Sequence, residues 1–98
     1  MSPNNKKKLI ILRKKLDVID DKLLNLLKIR ANHVKKVLSL KDFKKEIIDK
    51  KRIKKILQNI KKKSIKKGID TKISNRIWKN MIYAFIDYEY RNFNKRNK

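Results

Sequence analysis

The sequence contains no cysteine and one histidine. Disulfide bonds, thiolate catalysis and metal sites built from cysteines or histidine clusters are therefore excluded. One glycine and one proline in 98 residues argue against a β-rich fold, because such folds need many turns. The longest apolar runs, such as LIIL at 9–12, are far below the ~18 residues that a membrane span needs. We expect a cytoplasmic protein that neither crosses a membrane nor binds a metal.

Acidic residues are also scarce, since 9 stand against 31 lysines and arginines, for a formal net charge of +22. Such a charge is typical of nucleic-acid-binding proteins, because clustered cations displace the counterions of phosphates. Only six of the cations are arginines, however, whereas base and phosphate contacts favour the arginine fork. Lysine, isoleucine and asparagine are abundant together, which is typical of a genome-wide residue bias. A basic helical nucleic-acid-binding protein is therefore a distant alternative, and we do not expect nucleic acid as a partner.

What the chain does have is a long apolar repeat. Apolar residues recur every seven positions from Leu9, and a second set three residues on begins at Leu12. The two sets persist from about Lys7 to Leu40, which predicts one helix roughly 50 Å long at ~1.5 Å per residue. A helix of that length needs a partner, and a second copy of the chain is the simplest choice. We expect residues 1–6 to be disordered.

Two shorter helices are predicted after this one. KDFKKE at 41–46 interrupts the repeat, and an apolar stripe then predicts a helix over about 47–66. Gly68 fits the position after a helix end and Asp70 fits an N-cap, so a third helix is predicted from about 71 to 93. The fold class is therefore all-α. The residues predicted to face inward are Ile53, Ile56, Leu57, Ile60 and Ser64 in the second helix and Trp78, Ile82, Phe85, Ile86, Glu89 and Phe93 in the third.

Two charged residues interrupt the apolar faces, Arg30 in the first helix and Glu89 in the third. An unpaired charge on an apolar face costs several kcal/mol, so each of them needs a partner. One interpretation is a salt bridge between the two residues that fixes the helix register. The other is a polar pocket. Arg30 and Lys41 are eleven residues apart, which is about three turns at ~3.6 residues per turn, so both would point the same way.

The pocket interpretation extends to two further arginines. Arg13 is rotated by about 100° from the face of Arg30, so an antiparallel partner helix would have to supply it. Arg52, near the start of the second helix, adds another cation on an inner edge. A pocket with several cations and one or two acids suits a small polyanion, most simply a dicarboxylate held by arginine forks.

The segment LRKKLDVIDDKLLNLLKIR at 12–30 resembles the opening of the AroQ-type chorismate mutase family. Arg13 and Arg30 fall on the two arginines of the family's first helix, and Lys41 falls on its next catalytic lysine. DKKR at 49–52 is similar to the family's D-x-x-R motif.

The resemblance continues through the third helix. GID at 68–70 is similar to the G-L-D that opens this helix in the family, and Glu89 falls where the family carries glutamine or glutamate. The resemblance implies one chorismate mutase-like domain over residues 1–98. It also implies an intertwined homodimer in which the partner's first helix completes each active site.

The activity that the resemblance implies is the rearrangement of chorismate to prephenate in aromatic amino acid biosynthesis, without a cofactor. Arg30 and the partner's Arg13 would bind the two carboxylates of the substrate. Lys41 and Glu89 would donate hydrogen bonds to the ether oxygen as its bond to carbon breaks. For this Glu89 must carry a proton, so we expect activity to rise toward acidic pH. Arg52 would support the carboxylate or ether end of the substrate.

Three more candidate substrate-binding residues follow from the family pattern. Asp49 opens the D-x-x-R motif. Ile53 stands where mutases usually carry a glutamate that binds the ring hydroxyl, and Phe85 stands where a small polar residue is common. Both departures resemble the isochorismate-pyruvate lyases, which form salicylate and pyruvate. The lyase stays an alternative, and the mutase is preferred because family members with glutamate at the position of Glu89 are commonly mutases. A structural coiled coil would explain the repeat but not the inward charges.

Overall fold

The computed structural model describes residues 1–96. The chain forms three α-helices, α1 (Pro3–Ser39), α2 (Lys50–Lys67) and α3 (Thr71–Asn92), with short 3₁₀ turns at Lys44–Glu46 and Phe93–Lys95. Over residues 1–96 there is no β-strand, so the predicted all-α fold with a long N-terminal helix is confirmed. In this part of the chain no helix combines the length and hydropathy that a membrane span requires.

α1 begins earlier than predicted, at Pro3 instead of about Lys7. Ser2 caps it, since the Ser2 Oγ accepts a hydrogen bond from the Asn5 N–H at 3.1 Å. Proline is favoured at the first helical position because its fixed φ suits a helix and its missing N–H would have no helical partner there. Residues 3–6, which we expected to be disordered, are therefore the first turn of α1.

The chain divides into two compact units, Met1–His33 and Val34–Lys98, so the boundary falls within α1. The first unit consists of Met1, Ser2 and the N-terminal part of α1, whose large apolar side chains other than Leu9 are exposed to solvent. Those of α1 in this unit that are at least 49% exposed are Ile10, Ile11, Leu12, Leu16, Val18, Ile19, Leu23, Leu24, Leu26 and Ile29. Helices in proteins are stabilised mainly by packing of an apolar face against another element. The apolar repeat of this unit is thus presented as an open surface.

In the second unit, α2 and α3 are joined by the turn that the sequence predicted. Gly68 ends α2 with φ 71°, a left-handed conformation that glycine adopts without steric cost. The Ile69 N–H donates back to the Ser64 carbonyl at 2.9 Å, which satisfies one of the free carbonyls at the helix end. Asp70 caps α3 by accepting a hydrogen bond from the Lys72 N–H at 2.8 Å.

The residues predicted to face inward from α2 and α3 are all buried or half-buried. A buried hydrogen bond of 2.7 Å between the Ser64 and Ser74 hydroxyls joins the two helices near their connecting turn. Toward the other end of α3, the core consists of Leu38, Ile47 and Phe93, with Ile86 packed against it. This core brings together the last turn of α1, the segment before α2 and the end of α3.

The segment between α1 and α2 corrects two expectations. Lys41 lies two residues beyond Ser39, the last residue of α1. The helical spacing that made Arg30 and Lys41 point the same way therefore does not extend to Lys41. α2 starts at Lys50 and not near residue 47, because Asp49 is its N-cap.

Candidate active site

A buried ion pair joins the segment after α1 to α3. The Lys41 Nζ lies 2.7 Å from the Glu89 Oε2, and the two side chains are only 17% and 9% exposed. A carboxylate buried without a partner costs several kcal/mol, whereas a charge-assisted hydrogen bond of this length offsets much of that cost. Glu89 thus has the cationic partner that its place in an apolar stripe required.

The backbone of Lys41 is held on both sides. Its N–H donates to the Leu38 carbonyl at 3.1 Å, which closes the end of α1. Its carbonyl accepts a hydrogen bond of 3.0 Å from the Arg96 Nε, a contact between residues 55 positions apart in the chain. The ammonium of Lys41 is therefore carried on a backbone with both polar groups satisfied.

A local cap fixes the residues that follow Lys41. One oxygen of Glu46, Oε2, accepts hydrogen bonds from the Asp42 N–H at 2.7 Å and from the Phe43 N–H at 3.1 Å. Ile47 comes next and is 3% exposed in the core. The loop is therefore anchored by a carboxylate within it and by an apolar residue at its end.

Glu89 lies between two aromatic residues along the chain, one in α3 and one directly after it. Phe85 is one turn before it and Phe93 one turn after it, a spacing that puts all three on one helix face. Phe93 is 8% exposed and Phe85 is half-buried. The ion pair is largely shielded from water, and a lower local dielectric strengthens each electrostatic interaction made there.

The first turn of α2 places the D-x-x-R motif at a helix start. Asp49 is the N-cap, and its Oδ1 accepts a hydrogen bond of 3.0 Å from the Arg52 N–H. This gives Asp49 a structural task in starting α2. The Arg52 side chain is exposed, and among residues 1–96 its guanidinium makes no ion pair with Glu89.

Ile53 lines an open groove of about 460 Å³ in the second unit. Leu57 and Ile48 add aliphatic walls, Tyr83 adds an aromatic one, and two lysines of α2 complete the lining. Ile53 is half-buried. The position where mutases usually carry a glutamate therefore presents an apolar surface in this chain.

The two arginines predicted to bind carboxylates both lie on α1 in the first unit, seventeen residues apart. Arg13 is exposed and Arg30 is half-buried. The structure thus brings Lys41 and Glu89 together within the second unit, and places Arg13 and Arg30 on the helix that exposes the apolar repeat.

No sequence pattern pointed to Arg96. It follows α3 and the 3₁₀ turn Phe93–Lys95, outside every apolar stripe. Its guanidinium lies over the Phe93 ring, 3.7 Å from the ring centroid, while its Nε binds the Lys41 carbonyl. An arginine three residues after an inward aromatic residue could have suggested such stacking, but nothing local indicates a contact 55 positions away.

The fold and this ion pair define an all-α protein with a buried lysine–glutamate pair and a long arginine-bearing helix. Its sequence matches the model of the family Chorismate mutase type II over residues 12–90. The chain therefore belongs to the chorismate mutase type II family. The match includes Arg13, Arg30, Lys41 and Glu89 and ends before Arg96, and it does not separate the mutases from the lyase branch. No curated protein and no solved structure matches the chain.

Proposed function

We propose that this protein is a chorismate mutase, which rearranges chorismate to prephenate within one substrate molecule. The family supports this type of activity. The observation that carries the proposal is the Lys41–Glu89 pair, with 2.7 Å between its charged atoms. The two residues stand where the family resemblance places hydrogen-bond donors to the ether oxygen, and both side chains are largely shielded from water.

The chemistry needs stabilisation of developing charge and no group transfer to the protein. As the ether C–O bond breaks and the new C–C bond forms, negative charge grows on the ether oxygen. An ammonium has three N–H donors, and Lys41 directs one of them to Glu89, so others can face the substrate. Donors that are already oriented act without reorganisation at the moment of reaction. Confinement of the flexible substrate in its reactive shape lowers the barrier further.

Binding of the substrate is assigned to cations outside this pair. We propose that Arg30 and the partner's Arg13 bind the two carboxylates, since arginine forks match carboxylates with two parallel hydrogen bonds. Arg52 would support the carboxylate or ether end of the substrate. The Asp49 carboxylate would contribute by fixing the helix turn that carries Arg52. Ile53 would offer the ring an aliphatic surface.

The proposed active unit is a homodimer. The exposed apolar side chains of α1 support this, because a second α1 would bury them. Each buried leucine or isoleucine contributes about 1.5–3 kcal/mol to such an interface. A single domain over residues 1–98, a cytoplasmic location and a place in aromatic amino acid biosynthesis stay predictions.

One alternative is supported by particular residues. The aliphatic Ile53 in place of glutamate and the aromatic Phe85 in place of a small polar residue both resemble isochorismate-pyruvate lyases. Such an enzyme would eliminate pyruvate from isochorismate and release salicylate. Nothing in the Lys41–Glu89 pair distinguishes the two activities, since both break a C–O bond at the same ether oxygen.

An absorbance assay on purified protein separates these activities. Chorismate and isochorismate are offered in parallel, at about pH 5 and about pH 7.5. Prephenate formed from chorismate would support the mutase. Salicylate and pyruvate formed much more efficiently from isochorismate would establish the lyase. No turnover of either compound would contradict both activities and would favour a nucleic-acid-binding protein or a structural coiled coil.

A further inference from the structure

We propose that Arg96 is a positioning residue that holds the backbone of Lys41 so that the Lys41 ammonium stays on Glu89. Arg96 lies outside the part of the chain that matches the family. The effect of Arg96 on turnover rests on the proposed function, because Arg96 matters for catalysis only if Lys41 acts on the substrate. The effect of Arg96 on the Lys41–Glu89 contact can be tested without any substrate.

Lys41 contacts α3 at one point and the residues after α3 at another. Its ammonium contacts Glu89 at 2.7 Å, and its carbonyl accepts a hydrogen bond from the Arg96 Nε at 3.0 Å. Its other backbone contact, from its N–H to the Leu38 carbonyl, is local to the end of α1. Among the contacts that residues 1–96 show, only Arg96 therefore connects the main chain of Lys41 to the segment that directly follows the helix of Glu89.

Arg96 is itself held firmly enough to act as an anchor. Its guanidinium lies 3.7 Å from the centroid of the Phe93 ring, and its Nη1 donates to the Phe93 carbonyl. Phe93 belongs to the core with Leu38 and Ile47, the two residues that flank the Lys41 segment. Arg96 thus contacts the loop after α1 while it packs on Phe93, and the core that contains Phe93 also fixes both ends of that loop.

The chemistry of the contact requires an arginine. A guanidinium is planar and presents five N–H donors in a fixed fork, so it can stack on a ring and bind two carbonyls at once. The Nη2 of Arg96 also approaches the Asp42 carbonyl, at 3.5 Å. A lysine at position 96 would keep the positive charge but could not donate hydrogen bonds in the directions that the guanidinium uses. The long side chain of Lys41 has many rotamers, so its ammonium stays in one place only if its backbone does.

The kinetic test compares Arg96→Ala with Arg91→Ala. Arg91 is a matched control because it lies on the last turn of α3 and forms a surface ion pair of 3.1 Å with Asp87. We expect Arg96→Ala to lower kcat by up to about a hundredfold, with KM little changed, because misplacement of a catalytic group affects the reacting geometry. Arg91→Ala should leave both constants at their wild-type values.

Arg96→Lys separates position from charge. We expect its kcat to stay near that of Arg96→Ala, since its ammonium cannot reproduce the fork. Full rescue of kcat by lysine would show that charge alone matters and would overturn the proposal. So would an Arg96→Ala variant whose kinetics equal those of Arg91→Ala. Circular dichroism under the assay conditions shows whether each variant keeps its helices, and Arg96→Lys serves if Arg96→Ala does not fold.

A second measurement needs no substrate. Urea unfolding of Lys41→Gln, Glu89→Gln and the double variant gives the coupling between the two side chains. We expect this coupling to shrink several-fold when the cycle is repeated with lysine or alanine at position 96. An unchanged coupling would overturn the proposal. If the coupling shrinks but wild-type protein turns over no chorismate, the proposed function fails and the positioning by Arg96 stands.

Discussion

Lys41 and Glu89 are 48 residues apart in the chain, and their side chains meet at 2.7 Å. The contact links the segment after α1 to the last turns of α3. Its two side chains are largely shielded from water, although charged groups are rarely buried unless they are paired. An ion pair that is shielded from water contributes little to stability compared with apolar residues of the same volume. We therefore propose that the pair acts on a bound substrate.

The pH dependence of turnover tests the proposed role of Glu89. In the ion pair Glu89 is a carboxylate that accepts from Lys41. It can donate to the ether oxygen only after it gains a proton, so wild-type activity should rise toward acidic pH. Glu89→Gln always carries N–H donors, so this variant should show a flatter profile or higher activity near neutral pH. Asp87→Asn is the control, because Asp87 lies two residues away on an exposed face of the same helix. A Glu89→Gln profile identical to that of the wild type would remove Glu89 from the ether oxygen.

Replacement of Arg30 by leucine tests the substrate-binding role of α1. Loss of a guanidinium–carboxylate contact should lower kcat/KM by about a hundredfold or more, on the order of 3 kcal/mol. Leucine has a high helix propensity and continues the apolar repeat, so α1 should stay helical, which circular dichroism checks. Arg76→Leu, at an exposed position of α3, is the control and should keep its activity. A fully active Arg30→Leu enzyme would exclude Arg30 from the carboxylate site.

The proposed homodimer makes the exposed leucines of α1 essential. Leu16 and Leu23 are 56% and 52% exposed on one chain. Lysine at both positions should prevent association, because each buried leucine contributes about 1.5–3 kcal/mol. Sedimentation velocity should then show a monomer with reduced helicity and no turnover. Lys22→Ala is the matched control on the same helix. A wild-type protein that sediments as a monomer at assay concentration would contradict the dimer.

The N-cap at Asp49 gives a prediction that separates structure from binding. Asp49→Ala should lower the free energy of unfolding by about 1 kcal/mol, because the α2 terminus loses a cap. Asparagine caps a helix about as well as aspartate does, so Asp49→Asn should keep both stability and turnover. Urea titrations and chorismate assays on the two variants check this. Loss of turnover in Asp49→Asn with unchanged stability would show that the substrate needs the carboxylate itself.

Local signals in the sequence predicted most of the fold. The apolar repeat with a period of seven residues predicted α1. Gly68 and Asp70 predicted the turn between α2 and α3, because backbone conformation and capping depend on neighbouring residues. Ser2 and Pro3 could also have indicated the start of α1, because they are its N-cap and its first helical residue. The apolar repeat does not reach them, so the expectation of disorder came from applying the repeat alone.

The candidate site was less accessible from the sequence. The need for a partner of Glu89 followed from its place in an apolar stripe. The salt-bridge interpretation paired Glu89 with Arg30, whereas the structure pairs it with Lys41, a residue that the family resemblance had placed in the same site. The helical spacing that joined Lys41 to Arg30 did not hold, since α1 ends at Ser39. The role of Arg96 could not be inferred at all. This role depends on a contact between the residues after α3 and the loop after α1. No hydrophobic period and no short sequence motif predicts such a contact.

The most direct test of the central claim is the turnover of chorismate by Lys41→Gln. Glutamine removes the charge but can still donate a hydrogen bond to Glu89, so the helices should be preserved. Lys44→Gln, an exposed lysine of the neighbouring 3₁₀ turn, is the control. We predict that kcat for prephenate formation falls by about 100- to 1000-fold in Lys41→Gln, as expected for loss of one preorganised donor to a developing oxyanion. A Lys41→Gln enzyme that matches the wild type and Lys44→Gln would contradict the account.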